Sequence, residues 1–201
     1  MTEDSSLLRA PLHRRRSMAL DRLLLVAVRI TMALLTFAAI LTLLVRQVER
    51  DASIVNFFSF FTVQSNIFAA LVFLAGGWAG LTARRLPRWG LVRGAATAYM
   101  TTTGIVYALL LAGLEEDLQT TVPWTNFVLH YAMPVVAVGD WLLDRPRELI
   151  AFRTALVWMV YPLAWLAYSL GRGAVTGWYP YPFLDASDSG YTAVALTCSV
   201  I

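Results

Sequence analysis

The sequence predicts an all-α, polytopic bundle of membrane-spanning helices, five full spans plus a partial sixth, with its N-terminus in the cytoplasm. Three observations predict it: 58% hydrophobic residues against only 14% charged ones, five apolar runs of about the length a bilayer requires, and an alternation of arginine-rich and arginine-poor connections. A soluble domain holds roughly 45–50% apolar residues, so the excess calls for lipid as solvent. The 201 residues suit one bundle, 23–201, and leave no room for a separate soluble domain.

Residues 1–22 are polar and basic and read as a disordered cytoplasmic tail. The run 23–45 that follows has no small-residue cleavage site behind it, which makes it a first span and not a secretory signal. At about 1.5 Å per residue, a hydrocarbon core of about 30 Å needs roughly 20 residues. The runs 57–80, 91–114, 124–143 and 152–170 meet that need. The last apolar segment, 191–201, has 11 residues and reaches only about 16 Å, so it is a partial, truncated sixth span. Between the fifth and sixth, 171–190 carries Trp178, Tyr179, Tyr181 and Phe183, aromatics suited to the headgroup level or to capping the bundle.

Orientation follows from arginine. Arg9, Arg14, Arg15, Arg16 and Arg22 precede the first span, Arg84, Arg85, Arg88 and Arg93 lie at the second connection, and Arg145, Arg147 and Arg153 at the fourth. Only Arg46, Arg50 and Arg172 lie on the other side, where the third connection is acidic through Glu115, Glu116 and Asp117. The positive-inside rule puts the N-terminus in the cytoplasm and the protein in an inner membrane. The net charge of +3 is thereby accounted for by membrane orientation, without nucleic acid. Every one of the 16 basic residues is arginine, which excludes Schiff-base chemistry on lysine; such a lysine-free, alanine-rich composition resembles that coded by GC-rich bacterial genomes. The single cysteine, Cys198, excludes an internal disulfide, and neither a metal nor an organic cofactor is expected.

Polar groups within the spans are where chemistry is sought, because each costs free energy in lipid. At about 100° per residue, Ser59, Ser65 and Asn66 share a face with Thr62, and Gln64 points away. In the fourth span Asn126 and His130 form an i, i+4 pair. Thr62 and His130 each lie six residues inside their spans, about 9 Å deep. A threonine hydroxyl becomes a nucleophile when a neighbouring base takes its proton, and a desolvated imidazole serves. Thr62 and His130 are the candidate catalytic pair, with Ser59, Asn66 and Asn126 as supporting groups or oxyanion donors. The bland alternative is that these side chains are interhelical glue. Arg29 is expected to snorkel to the cytoplasmic interface. Asp140 is expected to pair with Arg29, Arg93 or Arg153, Thr101 to Thr103 to bond back to their own helix, and Asp185 and Asp188 to lie in a solvated loop or to orient the histidine.

The strings FFTVQSN (Phe60 to Asn66), NFVLHYAMP (Asn126 to Pro134) and GWYPYPFLD (Gly177 to Asp185) together resemble the bacterial Pr-six-Pr membrane proteins. These are in turn similar to the androgen-induced-gene family of integral membrane hydrolases, which act on fatty acid esters of hydroxy fatty acids. The resemblance runs from about Arg22 to the last residue and implies six spans, with an intramembrane threonine and histidine that fall on Thr62 and His130. The function expected on both grounds is a lipid-ester hydrolase acting on an amphiphilic ester drawn from membrane lipids. A small-solute transporter or channel, and a non-catalytic lipid- or partner-binding protein, are the alternatives.

Overall fold

The computed structural model describes residues 6–84, 86–114, 122–146 and 150–200, except for the side chains of 6–19, 188 and 189. Glu115, Glu116, Asp117, Arg85 and Arg147 lie outside the described residues. The chain is an all-α membrane bundle. Five helices, Leu20–Glu49, Phe61–Thr82, Trp89–Leu111, Pro123–Leu143 and Phe152–Thr176, are long and apolar enough to cross a bilayer, and the shorter apolar helix Gly190–Val200 follows. No strand occurs among the described residues.

Helix α1 (Ser6–Glu49) is continuous, so the stretch read as a polar tail is helical in backbone from Ser6. Its spanning part alone has 30 residues, about 45 Å, and overhangs the hydrocarbon or tilts within it. The second apolar run is not one helix, as expected, but two, because the chain becomes extended at Phe60 (φ −66°, ψ 130°). Helix α2 (Ile54–Ser59) stops there and α3 (Phe61–Thr82) begins afresh with its own N-terminus.

Helix α1 packs along α3, and α4 (Trp89–Val106) lies between α3 and the fourth span. Glycine permits the first contact: a methyl group at Gly77 would lie 2.6 Å from Ile30, and one at Gly80 2.3 Å from Val26. Small residues thus bring two backbones together in lipid, where dispersion and close packing replace the hydrophobic effect as the glue. The fourth span is α5 (Pro123–Phe127), a π-helical turn Val128–Ala132, and α6 (Met133–Leu143). Pro134 has no N–H to give the His130 carbonyl four residues back, and the ladder widens there. Helix α4 also ends in a π-helical turn, Tyr107–Leu111. The fifth span runs through α7 (Phe152–Ala155) and a 3-10 turn into α8 (Val160–Thr176), and α9 (Ala186–Val200) closes the chain.

The middle of the bundle is apolar. Ala69, Ala70, Phe73, Met100, Met133 and Ala137 form one buried cluster. It separates two polar layers, one at the level of Thr62, Asn66 and His130, the other at Arg29, Arg93 and Asp140.

In that second layer Arg29 does not snorkel. It is 7% exposed, and its Nε and Nη2 donate to Asp140 Oδ1 and Asp144 Oδ2, each at 2.6 Å. Asp140 takes Arg93 as well, through Oδ2 at 2.8 Å from Nη2 and 3.1 Å from Nε. Two carboxylates within the bundle, Asp140 and Asp144, hold the guanidinium there by charge-assisted hydrogen bonds.

Candidate functional site

The break at Phe60 leaves the first N–H groups of α3 without intrahelical partners and without a side-chain cap. The aromatic loop supplies one. Helix α8 ends on Gly177 in the left-handed conformation (φ 69°), and the loop then turns back over the head of α3. Tyr179 seats on Gly173, where a methyl group would lie 2.1 Å from its ring. Tyr181, 5% exposed, packs against Phe60, Trp165 and Phe183 at centroid distances of 5.4–5.8 Å. Its Oη accepts the Thr62 N–H at 3.2 Å and lies 3.1 Å from Thr62 Oγ1. Burial raises the Tyr181 phenol above its ordinary value, and the bonds to Thr62 offset only part of this. Tyr181 therefore keeps its proton at neutral pH and is a hydroxyl donor.

Thr62, buried itself, lines a cavity of about 190 Å³ with Tyr181. The walls are mostly apolar, with Leu111 from the end of the third span, Met159 and Leu166 from the fifth, Leu184 from the loop and Cys198 from α9, and Thr102 and Thr103 of α4 also line it. A hydroxyl at a helix N-terminus thus lines a mostly apolar space.

His130 is not among the described residues lining that cavity. It is 4% exposed and stacks on Tyr107 at a centroid distance of 4.0 Å and an interplanar angle of 21°. Both rings come from π-helical turns, which re-aim side chains relative to a regular helix. His130 Nδ1 is 3.3 Å from the Asn126 carbonyl. A carbonyl only accepts, so this contact calls for the hydrogen on Nδ1.

Asn66 connects the two halves. Its Nδ2 donates to the Thr62 carbonyl at 2.9 Å and to the Leu129 carbonyl at 3.1 Å, one residue from His130. Thr62 and His130 thus share a layer, although the threonine hydroxyl bonds to Tyr181 and not to the imidazole. The side chains expected to donate to an oxyanion are engaged elsewhere. Both Asn66 hydrogens go to carbonyls, Asn126 Nδ2 donates to Tyr107 Oη at 2.6 Å, and Ser59 Oγ donates to the Val55 carbonyl at 2.7 Å and meets Tyr168 Oη at 2.9 Å. The Oδ1 atoms of Asn66 and Asn126 are buried without a partner among the described residues. Buried unpaired acceptors cost about 1–3 kcal/mol each.

Around this layer, Ser65 bonds to Thr103 across helices at 3.0 Å, and of Thr101, Thr102 and Thr103 in α4 Thr101 bonds back to Thr97 as expected. Asp185 accepts from Ser187 at the start of α9, and the side chain of Asp188 lies outside the described residues. Tyr181 and Tyr107 are the residues that sequence reasoning missed. The aromatic richness of the loop and the i, i+4 spacing of His130 and Pro134 were the available signals. No protein-family model, curated protein or solved structure matches this chain.

Proposed function

We propose that the chain is a multi-pass inner-membrane hydrolase of amphiphilic fatty acid esters, oriented with its N-terminus in the cytoplasm, using Thr62 as nucleophile and His130 as base. The observation that carries the reading is the Thr62 hydroxyl at the start of α3, opening onto an apolar cavity under the aromatic loop. The resemblance of the three motifs to the Pr-six-Pr proteins supports it.

In this reading the acyl chain lies in the cavity and its ester carbonyl comes to the head of α3. Thr62 Oγ1 attacks the carbonyl carbon while its proton is relayed to His130, the general base of this reading. The oxyanion is received by the Thr62 N–H, which Tyr181 Oη holds in the unliganded protein, and by the Tyr181 hydroxyl. A nucleophile's own backbone N–H serves the same end in serine hydrolases. The imidazolium returns its proton to the departing alkoxide, and water then cleaves the acyl-threonine to fatty acid. No metal or organic cofactor enters the scheme.

The test is fatty acid release from a branched ester by purified protein in lipid nanodiscs. Thr62→Ala is expected to lose roughly a thousandfold or more, with partial activity kept in Thr62→Ser. Equal rates in the wild type and Thr62→Ala overturn the proposal. A transporter finds less support, because the apolar cluster of Ala69, Phe73, Met100 and Met133 separates the two polar layers.

A further inference from the structure

The arginine-rich end of the bundle holds a second and larger cavity, of about 610 Å³, lined from the ends of four spans. Five arginines line it, Arg22 and Arg29 from α1, Arg84 and Arg93 from the second connection and α4, and Arg145 after α6. Against them stand Asp144 in the lining and Asp140 behind it. The arginines fall into two classes. Arg29 and Arg93 are buried and fixed by the two carboxylates. Arg22, Arg84 and Arg145 are exposed at the rim, and none has an ion pair among the described residues.

Positive charge near a membrane surface is ordinary; positive charge fixed at the floor of a concave site is not. Arg93 spends all three of its nitrogens on Asp140 and Asp144. Arg29, though more than nine-tenths buried, uses Nε and Nη2, and its Nη1 has no hydrogen-bond partner among the described residues. The cavity is therefore lined by one ion-paired guanidinium, Arg29, with donor capacity to spare and by three exposed guanidinium groups, of which Arg84 lies over the Trp78 ring at 5.0 Å. That is more donor capacity and more charge than one carboxylate can use. A phosphate, with up to three free oxygens and as many as two charges, matches it, and arginine forks suit its geometry. Basic hollows between spans on the cytoplasmic side bind phosphate head groups for this reason. The rim is also apolar on one flank, through Leu25, Val26, Leu86 and Trp89, and Leu23 and Leu24 beside it are exposed on α1.

We propose that this cavity binds a phosphate group, presented either by an anionic amphiphile in the adjacent leaflet or by a soluble phosphate compound. The two sources share the recognition chemistry, and the apolar flank accommodates the tails of the first. This site is separate from Thr62 and stands or falls independently of the hydrolase reading.

The experiment uses the full chain in neutral detergent and follows thermal denaturation with two probes. Inorganic phosphate is titrated against chloride of equal ionic strength, and micelles doped with phosphatidylglycerol are compared with micelles doped with phosphatidylcholine. A bound ligand stabilises by mass action, so a saturable rise of roughly 3 °C or more is expected. The triple variant Arg22→Ser, Arg84→Ser, Arg145→Ser leaves the buried ion pairs intact and is expected to melt near the wild type without ligand while binding roughly tenfold or more weakly. A response to inorganic phosphate identifies a soluble source, and a response to phosphatidylglycerol alone identifies a lipid head group. No response to either probe, or an equal response in the wild type and the triple variant, overturns the proposal.

Discussion

Asp140 carries two buried arginines on one carboxylate, with Oδ1 toward Arg29 and Oδ2 toward Arg93. Asp140→Asn keeps the shape but leaves two desolvated cations sharing a neutral amide. Breaking a buried pair from one side costs about 3–5 kcal/mol, so Asp140→Asn is expected to denature at markedly lower denaturant concentration in mixed micelles. Asp144 has a side chain 43% exposed, and Asp144→Asn is expected to cost about 1 kcal/mol or less. A variant at 140 as stable as the one at 144 would show that the ion pairs do not hold this end together. The candidate residues were legible at this scale, and their partners were not. Thr62 and His130 stood out because lipid makes polar side chains conspicuous, and counting residues gave their common depth. Helix rotation is invisible to such counting, so the partner of Thr62 turned out to be Tyr181, 119 positions away. Arg29 was read as a snorkelling residue for the same reason: its carboxylate lies 111 residues further on.

At the scale of the element, α8 is held by one stripe of amphipathic rings. Tyr161, Trp165 and Tyr168 fall at i, i+4 and i+7, on one face of the helix. Tyr161 Oη donates to Gln64 Oε1 at 3.0 Å, Trp165 Nε1 to the Ser59 carbonyl at 2.9 Å, and Tyr168 Oη meets Ser59 Oγ. Ser59 and Gln64 are thus docking points for the fifth span, which explains a glutamine pointing away from the Thr62 face. One turn further on, Gly173 seats Tyr179 and with it the loop that carries Tyr181. Gly173→Val is expected to cost about 1–3 kcal/mol by overpacking and to expose Trp178 as the loop lifts. Thermal denaturation and a red shift of tryptophan emission check this; an unshifted spectrum at unchanged stability would refute the seating. The spans themselves were legible because hydropathy is a property of each segment alone. The break at Phe60 was not, since Phe60 is an ordinary helix residue by composition and its extended backbone accompanies packing against Trp178 and Tyr181. Pro134 did announce the widened turn.

Across the whole molecule, Arg22, Arg84, Arg93 and Arg145 gather round one cavity, which is what alternating arginine-rich connections require of an antiparallel bundle. The proposed orientation places that end in the cytoplasm. In a Cys198→Ser background, a membrane-impermeant maleimide is expected to label Thr176→Cys on intact cells and Thr82→Cys only after permeabilisation. The reverse pattern would invert the topology. Only 6% of the apolar window of the fifth span is buried, against 33–50% in the other four, yet Met159, Leu163 and Leu166 of this span wall the Thr62 cavity. Segments with few packed neighbours open at low free energy. On the proposed hydrolase reading, a long-chain ester would therefore have a sideways door: it would slip from the bilayer between neighbouring helices, tail first, without being lifted through water.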